Sequence, residues 1–306
     1  MSLSSDPFPP GPEDVVGPIG RPFSLYQPAL QIVPVVVDVP HAGRCYPPDF
    51  VAGARLPLKS LRRSEDAFVD QLFAHCVVLG APLLVAEFPR AYLDVNREPY
   101  ELDPRMFEGR VPPFANTRSV RVAGGLGTVP RIVGDGQEIY RGRIPVGEGL
   151  GRIDTLYRPY HAGLRSLIQR TQSAFGTCVL VDAHSMPSAG LDRDGLPKSD
   201  IILGDRFGTS AAPHVMDVAE EAFARRGLRV TRNRPYAGGF ITEHYGTPGA
   251  GVHALQIEIN RGLYMDEAAL MPHAGFAALR ELISAAMADC FAHWSGWLGE
   301  WRQAAE

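Results

Sequence analysis

The sequence predicts an α/β fold: a single domain with a mixed, largely parallel central sheet flanked by helices. Three observations predict it. Short runs dense in β-branched residues alternate with longer segments of helical periodicity, and parallel strands need crossover helices between them. These runs are apolar at consecutive positions, the pattern of strands buried on both faces. No repeat or shift of composition divides the 306 residues, of which 45% are hydrophobic, so one continuous core is expected.

The elements follow in order. Residues 1–30 are rich in Pro and Gly and are expected to form an extended lead-in, with the domain proper at 31–306. The run 32–39 is the first strand and ends at Pro40-His41-Ala42-Gly43. Ser64 is placed to cap a helix in which Phe68, Leu72, Phe73 and Cys76 recur at helical spacing until Gly80. Residues 82–88 form a second strand. From Arg90 to about Val146 the chain is rich in Arg, Pro and Gly, which predicts long ordered loops over the sheet, a length usually tied to function. A helix from about Arg152 carries Ile153, Leu156, Tyr157, Tyr160, Leu164, Leu167 and Ile168 along one face. Strand 178–181 runs into Asp182-Ala183-His184-Ser185. Strand 200–203, a helix at about 210–226, strands 228–231 and 253–259, and a terminal helix from Phe276 to Trp297 complete the domain.

Composition narrows the function. A net charge of −4 without a basic stripe argues against nucleic acid and membrane surfaces, leaving small molecules as the expected partners. Lys59 and Lys198 are the only lysines, so nearly all cations are arginines, the better forks for carboxylates. Cys45, Cys76, Cys178 and Cys290 form no C-x-x-C pair, and three of them lie in apolar stretches, which excludes a disulfide framework. No apolar run approaches the length of a membrane helix and no signal peptide is visible, so a cytoplasmic location is expected. The H-E-x-x-H, G-x-S-x-G and P-loop motifs are absent. Gly124-Gly125-Leu126-Gly127 is no dinucleotide fingerprint, and nothing marks a base for Cys45 as a nucleophile.

Ligands in open α/β sheets bind beyond the carboxyl ends of strands. Four strands here lead into candidate chemistry, at His41, Arg90, His184 and Glu258. His41 and His184 with one carboxylate of Glu65-Asp66 would make a three-ligand zinc site with an open position. Asp66 is preferred and Glu65 stays in play; the plain alternative is that both sit in the first turn of a helix, favoured by its dipole. Asp182-Ala183-His184 is also similar to the D-A-H-x-D run of arginase-type ureohydrolases, but Met186 replaces the second aspartate.

Taken in order, the sequence resembles the N-formylglutamate amidohydrolase family. The pieces are Val39-Pro40-His41-Ala42-Gly43, Ser64-Glu65-Asp66 with Val69-Asp70, Pro89 to Glu98, Tyr157-Arg158-Pro159-Tyr160-His161, Val181 to Pro187, and Gln256 to Arg261. The resemblance implies a phosphorylase/hydrolase-like fold related to zinc carboxypeptidases. It implies hydrolysis of N-formyl-L-glutamate to formate and L-glutamate, a closing step of histidine degradation. It also implies one Zn²⁺ on His41, Asp66 and His184, with Glu258 as general base. Arg44 stands where a carboxypeptidase H-x-x-E motif would carry its glutamate. Asn96 and Arg97 are candidates for substrate carboxylate recognition, Arg90 for the oxyanion, and Asp182 for orienting His184 or an arginine. The segment 237–244 is a candidate pocket wall or lid. A succinyl- or acetyl-amino acid deacylase and a non-catalytic binding protein are the competing expectations.

Overall fold

The computed structural model of the protein describes residues 15–134, 136–188 and 199–305, with side chains described as far as residue 296. Seven strands form its main sheet: β1 (Phe23–Tyr26), β2 (Val35–Val39), β3 (Leu83–Ala86), β4 (Cys178–Met186), β5 (Ile201–Gly204), β6 (Val230–Arg232) and β7 (Val252–Asn260). Their spatial order is β1-β3-β2-β4-β7-β5-β6. The central strands β3, β2, β4 and β7 are parallel. β1 pairs antiparallel with β3, while β5 runs antiparallel to β7 and parallel to β6. The sheet is therefore mixed and mostly parallel, as the alternation of elements predicts.

Two apolar clusters cover the two faces. Val35, Val37, Val39, Val179, Val181, Leu255 and Ile257 pack against helices α2 (Pro213–Ala224) and α4 (Gly275–Ala305) through Phe223, Ile283, Met287 and Trp294. Val36, Leu84, Leu180 and Ala254 pack against α1 (Arg158–Phe175) through Tyr160, Leu164 and Leu167, with the short helix α3 (Phe240–Tyr245) beside them. Trp297 lies beyond the described side chains. Among the described residues no helix is long and apolar enough to cross a membrane.

Three details depart from the sequence expectations. β1 lies inside the segment expected to be a lead-in; its four residues form an edge strand too short to show a period. The helix expected after Ser64 shrinks to one turn, Val69–Leu72. Ser64 instead closes a 3₁₀ turn, donating its hydroxyl to Leu61 O at 2.9 Å, and Phe68 adopts φ 66°, a left-handed conformation that prevents a helix from beginning earlier. Asp66 therefore lies outside the helix and owes its position to tertiary contacts, including a bond from its backbone N–H to His41 O at 2.9 Å. Finally, β4 does not stop at Val181 but continues through Met186.

That extension sets the chemistry. Side chains alternate between faces of a strand, so Asp182 and His184 share the face of Leu180, and Gln256 and Glu258 share that of Ala254. The registers Asp38↔Asp182, Asp182↔Gln256 and His184↔Glu258 place polar side chains side by side on this face, at the carboxyl half of the parallel strands.

The long loop 90–146 is ordered by its own apolar anchors, since Leu93, Val95 and Leu102 are fully buried and Ile139 joins the same cluster. Gly43, two residues after His41, lets the chain pass against the end of β3: a Cβ there would stand 2.1 Å from Phe88 O and 2.8 Å from Ala86 O, both backbone atoms. Gly43→Ala should cost about 1–3 kcal/mol of stability through overpacking, seen as a lower denaturant midpoint with an unchanged slope.

Candidate active site and metal centre

The turn after β2 presents His41, the bend after the 3₁₀ turn presents Asp66, and β4 presents His184. One donor atom from each lies within 4.8 Å of the others, and all three residues are buried. Asp66 Oδ2 stands 2.9 Å from His184 Nδ1 and 3.4 Å from His41 Nδ1, and the latter nitrogen has no hydrogen-bond partner. Glu65 points elsewhere, accepting from Tyr46 Oη at 2.8 Å and from Arg62 Nε at 3.0 Å. Geometry thus separates the two neighbouring carboxylates: Asp66 joins the histidines.

Behind each histidine stands another carboxylate. His41 Nε2 is 2.8 Å from Asp94 Oδ1, and His184 Nε2 is 2.7 Å from Asp182 Oδ1. Protonation of His41 on Nε2, toward Asp94, leaves its Nδ1 lone pair facing Asp66, the arrangement in which an imidazole binds a metal. Asn96 Oδ1 accepts from Ile241 N–H at 2.8 Å, which fixes the amide with Nδ2 3.2 Å from Asp182 Oδ2 and 3.0 Å from His184 Nε2. Two imidazoles, a carboxylate and an orphaned buried nitrogen fit a divalent cation well.

The remaining charges hold this set in place. Arg261 Nη2 donates to Asp66 Oδ1 at 2.9 Å and Arg261 Nε to Ser185 Oγ at 3.0 Å. Burial would raise the Asp66 carboxyl, but the neighbouring His184 and His41 imidazoles hold it well below the usual range. Burial likewise opposes ionisation of Asp94, yet Arg97, His41 and Arg90 keep it well below its ordinary value. Glu258 behaves oppositely. Burial pushes its carboxyl up to about 7, and its one hydrogen-bond partner among the described residues is Gln256 Nε2 at 2.9 Å. Glu258 does not pair with Arg261, which follows the strand end and turns to Asp66.

Several of these groups line a cavity of about 490 Å³. His41, Arg90, Asn96, Arg97, His184 and Glu258 all reach it. Arg90 gives Nε to Asp94 Oδ2 at 3.0 Å. Arg97 is absorbed by the wall, donating to Leu126 O at 2.9 Å and Asn96 O at 2.6 Å, and burial lowers its pKa to about 10. From the segment 237–244, Ala237, Gly238 and Gly239 line the cavity, whereas Thr242 is buried and donates to Gly239 O at 2.9 Å. Sequence reasoning missed Gln256, Ser185 and the Asp66 bond of Arg261; strand alternation could have found Gln256, two residues before Glu258 on the same face. Cys45 is raised by burial and by Glu87, and does not line this cavity.

The N-formylglutamate amidohydrolase profile matches residues 33–265. The chain belongs to that family. It is 31% identical over 240 residues to the N-formylglutamate deformylase of Pseudomonas putida, covering 77% of this chain and 83% of the relative. It is 30% identical over 267 residues to that of Pseudomonas aeruginosa, covering 84% and 93%. Its fold is similar to the crystal structure of N-formylglutamate amidohydrolase from Ralstonia eutropha JMP134, with a TM-score of 0.82, 35% identity, and coverage of 89% of this chain and 99% of that one.

Two predictions concern this candidate site. Replacing Asp94 with Asn should weaken metal affinity about 10–100-fold by freeing the His41 ring; competition with a chelator measures it, and an unchanged affinity would remove Asp94 from the site. The second concerns Glu258 in metal-free protein. Its folded pKa of about 7 exceeds the ordinary 4.5, so its stability contribution is full below the ordinary value and is lost as pH rises through about 7. Glu258→Gln, neutral throughout, should melt like wild type near pH 4.5 and progressively higher than wild type toward pH 7, the gap then levelling off.

Proposed function

We propose that the protein hydrolyses N-formyl-L-glutamate to formate and L-glutamate, with one zinc ion held by His41, Asp66 and His184. The observation that carries the reading is the convergence of these three donors beside Glu258, a buried carboxylate with a raised pKa, in one cavity. The relatives named N-formylglutamate deformylase support the substrate.

Bound there, a divalent ion would supply Lewis acidity to the formyl carbonyl and to the attacking water. The chain's own residues do the rest. Glu258 takes a proton from water as its oxygen adds to the formyl carbon, and returns the proton to the nitrogen as the C–N bond breaks, releasing formate and the free amine. A pKa near neutrality suits a group that must accept and then donate. Arg90, fixed through Nε on Asp94, has both Nη groups without a protein partner among the described residues. It lies where the charges of Asp94, Asp66 and Glu258 act on it, which fits the oxyanion role, commonly worth about 2.7–4 kcal/mol of barrier. Asn96 and Arg97, expected as carboxylate readers, are engaged within the protein, and we assign them to positioning: Asn96 holds Asp182, and Arg97 holds Asp94 and the loop at Leu126. The reaction takes the place in histidine degradation that the family resemblance implies.

Glu258→Gln should keep stoichiometric metal and lose at least about 10²-fold in turnover. Formate release should stop on metal removal and return with zinc. Near-normal turnover of the variant would sink the base assignment, and full activity in chelator would sink the metal.

A further inference from the structure

Five arginines line the cavity: Arg63, Arg90, Arg97, Arg121 and Arg261. Most are occupied by the protein. Arg261 is held by Asp66 and Ser185, Arg97 by Leu126 O and Asn96 O, and Arg90 by Asp94. Arg63 also has an interaction within the protein. Arg121 differs, because among the described residues its guanidinium takes part in no hydrogen bond or ion pair.

Its backbone is nonetheless fixed. Arg121 sits on a helical turn, Val120–Ala123, capped by Ser119 Oγ, which accepts from Val122 N–H at 3.1 Å. The turn is closed by Leu126 N–H on Arg121 O at 2.8 Å and anchored by Val122, 2% exposed. Leu126 O in turn receives Arg97 Nε, so the turn is tied to the cavity wall. Arg97 feels the like charges of Arg90 and Arg121, and all three line the cavity. Arg90 stands at the Asp66 and Glu258 end, and Arg121 at the loop end. A second cation there, with no carboxylate paired to it, is a site for an anion.

We propose that Arg121 binds the side-chain carboxylate of the acyl amino acid and so sets the preference for an acidic over a neutral side chain. This rests on the proposed amide hydrolysis. The formyl carbon must lie at the metal ligands and Glu258, and a glutamate side chain extends two methylenes away from the reacting end. The guanidinium fork accepts that carboxylate bidentately.

The test compares wild type, Arg121→Gln and Arg121→Lys, all metal-loaded, on N-formyl-L-glutamate and N-formyl-L-glutamine, which differ in side-chain charge alone. Arg121→Gln should lose roughly 10–100-fold in kcat/KM on the glutamate substrate, the size of a charge-assisted bond, mainly through KM. It should lose less than about threefold on the glutamine substrate, with Arg121→Lys between. Equal losses on both substrates, or none, would overturn the assignment. Wild-type formate release reports the proposed reaction separately. Calorimetric binding of L-glutamate against L-glutamine carries the same comparison without turnover: weaker glutamate binding by Arg121→Gln supports the role, and unchanged or absent discrimination in wild type and variant refutes it.

Discussion

The structure depends on accommodating polar, ionisable groups that are almost entirely out of water. Asp66, His41, His184, Asp94 and Asp182 are each 3% exposed or less, and an isolated charge at such depth would neutralise rather than persist. Each carboxylate is therefore given positive or donor partners: Asp66 has Arg261 and the histidines, Asp94 has Arg90 and the Asn96 backbone N–H, and Asp182 has His184 and the Asn96 amide. The groups with least compensation have their carboxyls raised. Asp38, fully buried beside Asp182 in the strand register, is raised well above the usual range by burial and by that neighbour, and Glu258 is raised by burial. A cation among the three candidate ligands would favour the ionised form of Glu258, which lines the same cavity. Cation binding there and ionisation of Glu258 are thus linked electrostatically.

The sheet makes this arrangement feasible. Four parallel strands bury their first halves on both faces, which anchors their carboxyl ends rigidly. On the face shared with α1, successive outward positions then change from Leu180 to Asp182 and His184, and from Ala254 to Gln256 and Glu258. On the opposite face Val181, Ala183, Leu255 and Ile257 remain apolar and hold the strands to α2 and α4. The same period that builds the core places the chemistry, so the polar face can carry buried charge while the other carries cohesion.

Much of this was legible in the sequence. Consecutive apolar runs located the central strands, and the histidines and Glu258 were conspicuous where those runs gave way to polar residues. The edge strand β1 was not, because four residues with one buried position leave no periodic signal. The boundary of β4 was misplaced because Asp182 and His184 look like a loop in composition, although they alternate like a strand; hydrophobicity alone stops at the first buried charge. The helix after Ser64 failed for a different reason. Its apolar spacing is real, since Phe68, Leu72, Phe73 and Cys76 all enter the core, but the left-handed Phe68 breaks the backbone, and tertiary demands at Asp66 override local propensity.

The hardest distinction was among arginines, and its difficulty is physical. A guanidinium five bonds from the backbone can serve a wall, a ligand carboxylate or a substrate, and nothing in the residue type says which. Asn96 and Arg97 sit in the motif most suggestive of substrate contact, yet their donors are consumed: Arg97 by two backbone carbonyls and Asp94, Asn96 by Asp182. Arg121 lies outside any motif, on a turn whose backbone is fully braced while its head group is not. Hydrogen-bond saturation, invisible in one dimension, therefore separates groups that build the site from groups left to meet a ligand. A cation that the protein holds in place by its backbone and leaves without an ion-pair partner among the described residues, facing a cavity, is one that an anion entering from outside can pair with.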